Sequence, residues 1–316
     1  MRKLFIIALT LLCAGAFRSA AQEVVFMPQW TPQAQFAGFY IAQEKGFYTD
    51  EGLNVKIVHK LQSSSSNNMD QLENGEIDIL GLQLLQSIIA KADGHPIVNV
   101  MQVSQVSGLW CVSHNPISKP TDMNGMRVGR WISGYADFCD FLETYNNIKI
   151  NWVPFINGIS LYVYGAVDAM LCYSYNEYVS LTLAAGRIPE SNVIKFSDFG
   201  YDCPEDALCV NEKYYATHKE EVEKFVRASK RGWEYARNHR DEAIDVTMKY
   251  VQADHIQTNR AHQKRMLDEY LSLMVNPKTG KVDYSPVAKE TFDTIVNSLY
   301  NINHIFQKIE YSDLIR

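Results

Sequence analysis

Residues 30–55 read WTPQAQFAGFYIAQEKGFYTDEGLNV, and this stretch decides the fold class. The apolar run Val24–Met27 precedes it and is typical of a buried strand. Between residues 33 and 45 apolar side chains recur at helical spacing, and Gly46 is typical of a helix end. Leu53–Val58 then alternates between apolar and polar residues, which indicates a second strand. A strand, a helix and a strand in succession predict an α/β unit.

The alternation of strands and helices continues along the chain to about residue 205. The same patterns predict strands at 77–80, 97–103, 127–131, 148–153, 167–172, 193–196 and 206–210, and helices at 69–72, 84–94, 135–145 and 176–185. Long amphipathic helices are predicted after these elements, at 214–237, 241–251, 257–274 and 286–300.

An α/β fold of two lobes accounts for this order of elements. We expect residues 22–110 and 206–316 to form lobe 1, residues 111–205 to form lobe 2, and the C-terminal helices to pack on lobe 1. The segments Leu109–Ser113 and Asp206–Asn211 would then cross between the lobes as hinges. A cleft between two α/β lobes is a favoured place for a small-molecule ligand.

Residues 1–21 have the pattern of a secretory signal peptide. Arg2 and Lys3 precede the uncharged apolar stretch Leu4–Phe17, which is shorter than the about 20 residues of a membrane span. Small residues, Ser19–Ala21, stand where a signal peptidase cleaves. We therefore expect cleavage after Ala21 and a soluble periplasmic protein, with a membrane anchor or lipid attachment at Cys13 as alternatives.

The amino-acid composition limits the kinds of molecule that the chain is expected to bind. The net charge of -6 gives no electrostatic reason to expect nucleic acid as a partner. The 18 Tyr and 5 Trp suit a pocket for a flat organic ligand, although protein cores use the same residues. The sequence contains no HExxH motif and no closely paired cysteines, so we expect no metal site, no cofactor and no catalytic residues.

Of the 6 cysteines, Cys13 lies in the predicted signal peptide and the rest are Cys111, Cys139, Cys172, Cys203 and Cys209. An odd number leaves at least one thiol free in an oxidising compartment. Cys111 and Cys209 lie in the two predicted crossing segments. We therefore predict a disulfide between them, provided that their Cα atoms lie within about 7 Å of each other.

The stretch at residues 30–55 resembles the opening segment of the thiamine-pyrimidine-precursor group of periplasmic binding proteins. The resemblance rests on a W-x-P turn, a G-x-Y-x-A helix, and the K-G-F and E-G-L-x-V segments within residues 30–55. Later segments resemble the group in the same order, at 75–78, 117–129 and 165–169, with Glu177 beyond them. The resemblance implies a type II periplasmic binding fold with a central ligand cleft, shared with sulfonate, nitrate and taurine binders. It also implies a monomer that delivers a small-molecule ligand to an ABC permease at the inner membrane.

The resemblance assigns the first lobe's contribution to the cleft. Trp30 follows the first strand, where the family uses an aromatic side chain for stacking; the alternative is a buried core residue. Gln33 and Gln35 stand where the family usually carries Asn, and Gln33 has the alternative of a surface position at a helix start. Phe36 replaces a common His, and Tyr40 is the tyrosine of the G-x-Y-x-A helix.

The second lobe offers two strand-to-helix junctions. At the first, Ser133, Gly134 and Tyr135 stand at a predicted helix start, whose free backbone N–H groups bind an anion or a carbonyl; an ordinary helix cap is the alternative. At the second junction, Tyr173 and Tyr175 lie close to Glu177 in the sequence and precede it. A carboxylate there accepts hydrogen bonds from an aminopyrimidine edge, whereas the alternative is a salt bridge with Arg or Lys at the surface. The ligand expected is thus an aminopyrimidine or a related heterocycle.

Other functions remain open at this level. A sulfonate or similar oxyanion is the alternative ligand. A eukaryotic relative of the fold makes the thiamine pyrimidine with a cysteine-rich stretch and bound pyridoxal phosphate. Cys172 is the single cysteine at the corresponding place, so this enzyme alternative is weak. A sensor built on the same fold is a further alternative to transport.

Overall fold

The fold consists of two separate five-stranded sheets within residues 22–59, 68–132 and 135–316, which the computed structural model describes. The predicted signal peptide with Cys13, and the predicted site residues Ser133 and Gly134, lie outside the described residues. The strands are β1 Gln22–Met27, β2 Leu53–Ile57, β3 Ile79–Leu82, β4 Ile97–Gln102, β5 Leu109–Ser113, β6 Arg127–Trp131, β7 Asn151–Phe155, β8 Ala169–Tyr173, β9 Val193–Lys195 and β10 Ala207–Asn211.

The helices in the described residues surround these sheets. They are α1 Ala37–Glu44, α2 Phe47–Asp50, α3 Asn68–Glu73, α4 Leu84–Ala92, α5 Ala136–Asn146, α6 Ser160–Val163, α7 Glu177–Ala185, α8 Glu212–Thr217, α9 Lys219–Asn238, α10 Arg240–Ala253, α11 Arg260–Leu273, α12 Lys289–Asn301 and α13 Tyr311–Leu314. A short 3-10 helix, Ala34–Phe36, precedes α1. None of the helices in the described part of the chain is long and apolar enough to cross a bilayer.

Both sheets have the same arrangement of strands. The first has the order β2-β1-β3-β10-β4 and the second β7-β6-β8-β5-β9. Three parallel strands come first in each sheet, and the fourth strand runs antiparallel to both of its neighbours. That antiparallel strand is the first strand after the chain has crossed from the other sheet. The predicted α/β fold with two sheets is confirmed, and lobe 1 and lobe 2 below denote the first and second sheets with their helices.

The crossings between the lobes lie just before the segments that the sequence predicts. Residues 109–113 form β5 entirely within the second sheet, and residues 207–211 form β10 within the first. Strands paired along their whole length cannot act as hinges, so the irregular residues before them make the crossings. Glu205 ties the two crossings together, because its carboxylate accepts from Ser107 Oγ at 2.7 Å and its backbone oxygen from Ser104 Oγ at 2.7 Å.

The C-terminal helices pack on lobe 1, as predicted. Helix α9 crosses α1 so closely that a Cβ added at Gly38 would lie 2.2 Å from the Trp233 ring. A methyl group there has no room, and the contact therefore requires glycine. The single helix predicted over 214–237 is divided into α8 and α9, since His218 has φ -128 and ψ 32, outside the helical range.

The predicted disulfide between Cys111 and Cys209 is wrong. All five cysteines in the described residues are free and buried. Cys111 pairs with Leu171 and Ile194 in the second sheet, whereas Cys209 lies on β10 in the first. The two strands belong to different sheets instead of running side by side. Burial raises the pKa of each of these two thiols to about 12, so both stay protonated at neutral pH.

Candidate functional site

A cleft of about 640 Å³ lies between the lobes. Strands β1 and β3 of lobe 1 and strands β6 and β8 of lobe 2 all end beside it. Residues that follow the carboxyl ends of parallel strands meet at one edge of a sheet, which explains why the lining comes from these loops. The volume lies within the range of small-molecule sites.

The two sides of the cleft differ in chemistry. Lobe 1 contributes a set of glutamines that we call the amide wall: Gln29, Gln33, Gln35, Gln83 and Gln86. Lobe 2 contributes a set of rings that we call the aromatic wall: Trp131, Tyr135, Tyr173 and Tyr175. Trp30 stands on the lobe 1 side and Glu177 on the lobe 2 side.

The rings of the aromatic wall form one continuous cluster, in which Trp131 stacks on Tyr135 and Tyr173 stacks on Tyr175. Ring centroids lie 4.3 Å apart between Trp131 and Tyr135, 5.4 Å between Trp131 and Tyr173, and 4.9 Å between Tyr173 and Tyr175. The predicted residues Tyr135, Tyr173 and Tyr175 are thus brought together. The sequence interpretation missed Trp131, although its place at the carboxyl end of a correctly predicted strand was the signal that could have found it.

A glutamine joins the two walls across the cleft. Gln83, the residue before α4, donates from Nε2 to Tyr135 Oη at 2.9 Å and to Tyr173 Oη at 3.0 Å. Tyr135 Oη in turn donates to Tyr173 Oη at 2.8 Å. Burial raises the pKa of both phenols well above the ordinary value, so they remain neutral hydrogen-bonding groups. The sequence interpretation missed Gln83, since nothing in the neighbouring sequence distinguishes it from a glutamine at the surface.

Trp30 has a half-buried side chain that lines the cleft. No ring among the described residues stacks on its indole. Its backbone oxygen accepts from His59 Nδ1 at 2.6 Å, and His59 Nε2 lies 2.9 Å from Tyr40 Oη. Because a carbonyl accepts only, the neutral imidazole carries its proton on Nδ1 and accepts the Tyr40 hydroxyl at Nε2. Burial lowers the pKa of His59, which favours this neutral form.

Tyr40 does not reach the cleft, contrary to the prediction. Its side chain is fully buried in lobe 1, stacked on Tyr250 of α10 with ring centroids 4.1 Å apart. Helical spacing identifies the buried face of α1 but does not show which neighbour covers it. Here the C-terminal helices cover that face, and hydrogen bonds connect Tyr40 through His59 to the backbone of Trp30.

Gln33 and Gln35 lie at the cleft, and both are buried. Gln33 Nε2 donates to Gln35 Oε1, and Gln35 Nε2 donates to Asp206 Oδ2 at 2.8 Å. The surface alternative for Gln33 is therefore wrong. Asp206 also accepts from the Tyr270 hydroxyl. Burial raises the pKa of the Asp206 carboxyl to about 6, and the hydrogen bonds from Tyr270 and Gln35 limit that rise.

Glu177 is the first residue of α7 and is 5% exposed. Its carboxylate accepts from the backbone N–H of Tyr173 at 3.0 Å and from Asn176 Nδ2 at 3.0 Å. Burial raises its pKa to about 7, while hydrogen bonds from backbone groups and from Trp131 oppose the rise. The alternative of a salt bridge at the surface is wrong, because the carboxylate is buried and its partners in the described residues are neutral.

The described lining of the cleft includes no Lys or Arg. Of the helices that begin at the cleft, α5 and α7 carry an acidic residue in the first turn, Asp137 and Glu177, whereas α4 carries none. The partial positive charge at the starts of α5 and α7 is thus already matched by carboxylates of the protein. This arrangement favours a neutral ligand over an anion.

One further contact joins the lobes at the mouth of the cleft. His304 Nε2, from the segment between α12 and α13, lies 3.2 Å from Asp137 Oδ1 of α5. The adjacent Gln307 donates to the backbone oxygen of Ala92 at the end of α4 at 2.8 Å, which fixes the segment on lobe 1. The hydrogen bond with Asp137 raises the pKa of His304.

Known proteins with similar sequences and folds agree with this architecture. The formylaminopyrimidine-binding protein of Halalkalibacterium halodurans is 26% identical over 269 residues, which cover 82% of this chain and 79% of that protein. The riboflavin-binding protein RibY of Chloroflexus aurantiacus is 23% identical over 269 residues, which cover 82% of this chain and 75% of that protein. The periplasmic aliphatic sulphonate binding protein SsuA of Escherichia coli shares the fold, with a TM-score of 0.66, 13% identity and coverage of 92% of this chain and 96% of that one.

A family model described as NMT1/THI5 like matches residues 33–243. The match begins at Gln33 of the amide wall, includes all of lobe 2 and ends within α10. It thus contains the aromatic wall, the amide wall except Gln29, and both crossings between the lobes. The chain belongs to the NMT1/THI5-like family.

Proposed function

We propose that this chain is an exported solute-binding protein that captures a neutral, flat nitrogen heterocycle and presents it to an ABC permease. The observation that carries the proposal is the pairing of the two walls: stacked rings on one side and glutamine amides on the other, without a lysine or arginine in the described lining. Rings bind the face of a heterocycle, and amides read its polar edge. Aminopyrimidines and flavins both have this combination.

The size of the cleft supports a ligand at the larger end of this class. A volume of 640 Å³ corresponds to about 20 water molecules at their liquid density. A single substituted pyrimidine ring leaves much of that space to water, whereas a flavin with its side chain occupies more of it. The relatives named for a formylaminopyrimidine and for riboflavin support the class as a whole, and they leave the choice within it to experiment.

Binding is favoured over catalysis by the chemistry of the cleft. Cys172 lies fully buried in β8, and burial raises the pKa of its thiol well above the ordinary value, so it is a poor nucleophile. Pyridoxal phosphate is held in most enzymes by a lysine Schiff base, and the described lining contains no lysine. These residues do not fit that cofactor.

The proposal is tested by calorimetric titration of ligand-stripped protein with riboflavin, a 4-aminopyrimidine and ethanesulfonate. We expect a heterocycle to bind and the sulfonate not to bind. Native mass spectrometry of protein taken from the periplasm of its own host would identify the bound molecule, and its mature N-terminus would test export and cleavage after Ala21. Binding of the sulfonate alone would overturn the proposal, because Glu177 and Asp137 disfavour an anion.

A further inference from the structure

A chain of oriented amides connects the crossing between the lobes to the cleft. It runs from Asp206, beside the start of β10, through Gln35 to Gln33. All three side chains are at least nine-tenths buried, with exposed fractions of 2%, 2% and 7%. Bulk water therefore cannot easily substitute for any hydrogen bond in this chain.

The chemistry of Asp206 sets the direction of the chain. An ionised carboxylate accepts hydrogen bonds and donates none, whereas a glutamine side chain has one donating end and one accepting end. Gln35 must turn its NH2 group toward Asp206, so its carbonyl oxygen faces Gln33. Gln33 must then turn its own NH2 group toward Gln35, and its carbonyl oxygen is left for the cleft.

The ionised state of Asp206 is supported by its surroundings. Burial raises the pKa of the carboxyl to about 6, which still leaves it ionised at neutral pH. The groups that face it are the Tyr270 hydroxyl of α11 and the amides of Gln35 and Gln29, which all donate to it. The neighbouring Glu205 turns its carboxylate to Ser107 and Gly108 instead.

The opposite wall presents a donor. Tyr173 Oη accepts hydrogen bonds from both Gln83 and Tyr135, so the hydroxyl hydrogen of Tyr135 is already donated to Tyr173. The hydrogen bonds of the described residues leave the hydroxyl hydrogen of Tyr173 without an acceptor. The cleft thus offers a carbonyl acceptor on the amide wall and a hydroxyl donor on the aromatic wall.

We propose that Asp206 is a positioning residue that, through Gln35, holds the Gln33 carbonyl oxygen toward the cleft, so that the site selects a ligand with an N–H donor there and an acceptor at Tyr173. The inference rests on the proposed function for the ligand class. It adds the direction of the hydrogen bonds, which neither the aromatic wall nor the size of the cleft determines. Asp206 itself touches no ligand in this arrangement.

The first test needs no ligand. Hydrogen exchange of the Gln33 side-chain NH2 group is measured by nitrogen-15 NMR in the wild type, Asp206→Gly and Gln35→Met. Glycine suits position 206 because Asp206 has φ 59, in the left-handed region. Gln35→Met removes the acceptor of the Gln33 amide, and Asp206→Gly leaves Gln35 free to turn its oxygen away, so exchange should accelerate at least about tenfold in both variants. Tyr48→Phe is the matched control: it removes a buried tyrosine hydroxyl of lobe 1 that pairs with Ser229, leaves Asp206 and the chain of amides intact and should not alter exchange.

The second test measures selectivity with two probes, 4-amino-2-methylpyrimidine and its 4-dimethylamino analogue, which lacks the N–H donor. We expect wild type and Tyr48→Phe to bind the amino compound at least about tenfold more tightly, and both Asp206→Gly and Gln35→Met to lose most of this preference. Unchanged exchange and unchanged preference in Asp206→Gly and Gln35→Met would overturn the inference, as would equal effects in Tyr48→Phe. If neither probe binds the wild type, the ligand class fails, and the exchange experiment still decides whether Asp206 orients Gln33.

Discussion

The two walls of the cleft hold their side chains in different ways. The aromatic wall is built by packing, since its neighbouring rings contact one another at centroid distances from 4.3 Å to 5.4 Å. The side chains of the amide wall are held by hydrogen bonds instead, since each glutamine there is oriented by a hydrogen bond to a neighbour. Stacking tolerates many flat molecules, whereas oriented amides discriminate between donors and acceptors. Specificity in such a site therefore comes mainly from lobe 1 and much of the binding free energy from lobe 2.

Truncating the centre of the aromatic wall should have the largest effect. Trp131→Ala removes a ring that packs on Tyr135, Tyr173 and Phe155 and is 4% exposed. We expect a loss of about 3–5 kcal/mol in unfolding free energy, together with the loss of ligand binding. Urea denaturation and calorimetry measure the two effects. Trp110→Ala is the control, because Trp110 is half-buried against Tyr178 away from the cleft, and its loss should leave binding unchanged.

Glu177→Gln tests whether the charge of the Glu177 carboxylate contributes to ligand binding or to the stability of the fold. Its pKa is raised from 4.5 to about 7 in the folded protein, so between these pH values the folded form holds a proton that the unfolded chain has released. Stability from this group is therefore present below pH 4.5 and falls as pH rises toward 7.

The variant should gain about 1–3 kcal/mol of stability relative to wild type between pH 5 and pH 8, since one pK unit corresponds to about 1.4 kcal/mol. Urea denaturation at the two pH values measures this gain. If Glu177 also accepts from the ligand, heterocycle binding should fall at least as far as in Trp30→Ala. A stability difference that stays constant with pH would contradict the raised pKa.

Trp30→Ala probes the large ring that lobe 1 contributes to the described lining of the cleft. Its indole has no stacking partner among the described residues, so we expect it to be available to the ligand and to lose about 1–3 kcal/mol of binding on truncation. The unfolding free energy should change by only about 1 kcal/mol, since the side chain is half-buried. Should the variant unfold while the affinity of its folded fraction stays normal, Trp30 is a core residue instead.

The smallest effect is expected at the mouth of the cleft. The hydrogen bond from Asp137 raises the pKa of His304, and Asp140 and Asp93 add to the rise. The stability that this contact between the lobes contributes is thus present below the ordinary pKa of 6.5 and lost as pH rises through the raised pKa of His304. His304→Gln should weaken ligand binding at pH 6 by at most about 1 kcal/mol, because Asp137 is 44% exposed, and leave it unchanged at pH 9.

Local patterns predicted the elements of the fold and many of the residues at strand ends. The strand Arg127–Trp131 has the predicted bounds, while the strand predicted at 77–80 begins two residues later, at Ile79. Tyr40 was wrongly predicted to line the cleft, because its helix packs against α10, which lies some two hundred residues further along the chain. Gln83 and Asp206 were missed because their roles depend on partners in the other lobe or in the crossing, which no local pattern reveals.

The close contact of α1 with α9 also determines when the cleft can exist. Lobe 2 draws its sheet from one continuous segment, residues 109–195, so its pairings are local in the chain. Lobe 1 needs β10 in the middle of its sheet, Trp233 against Gly38, and a hydrogen bond from Ala34 to Gln263, 229 residues away. Contacts of such high sequence separation form late, because a long loop must be closed first. We therefore expect a chain emerging from synthesis to fold lobe 2 early, and the cleft between the lobes cannot form until the last helices arrive.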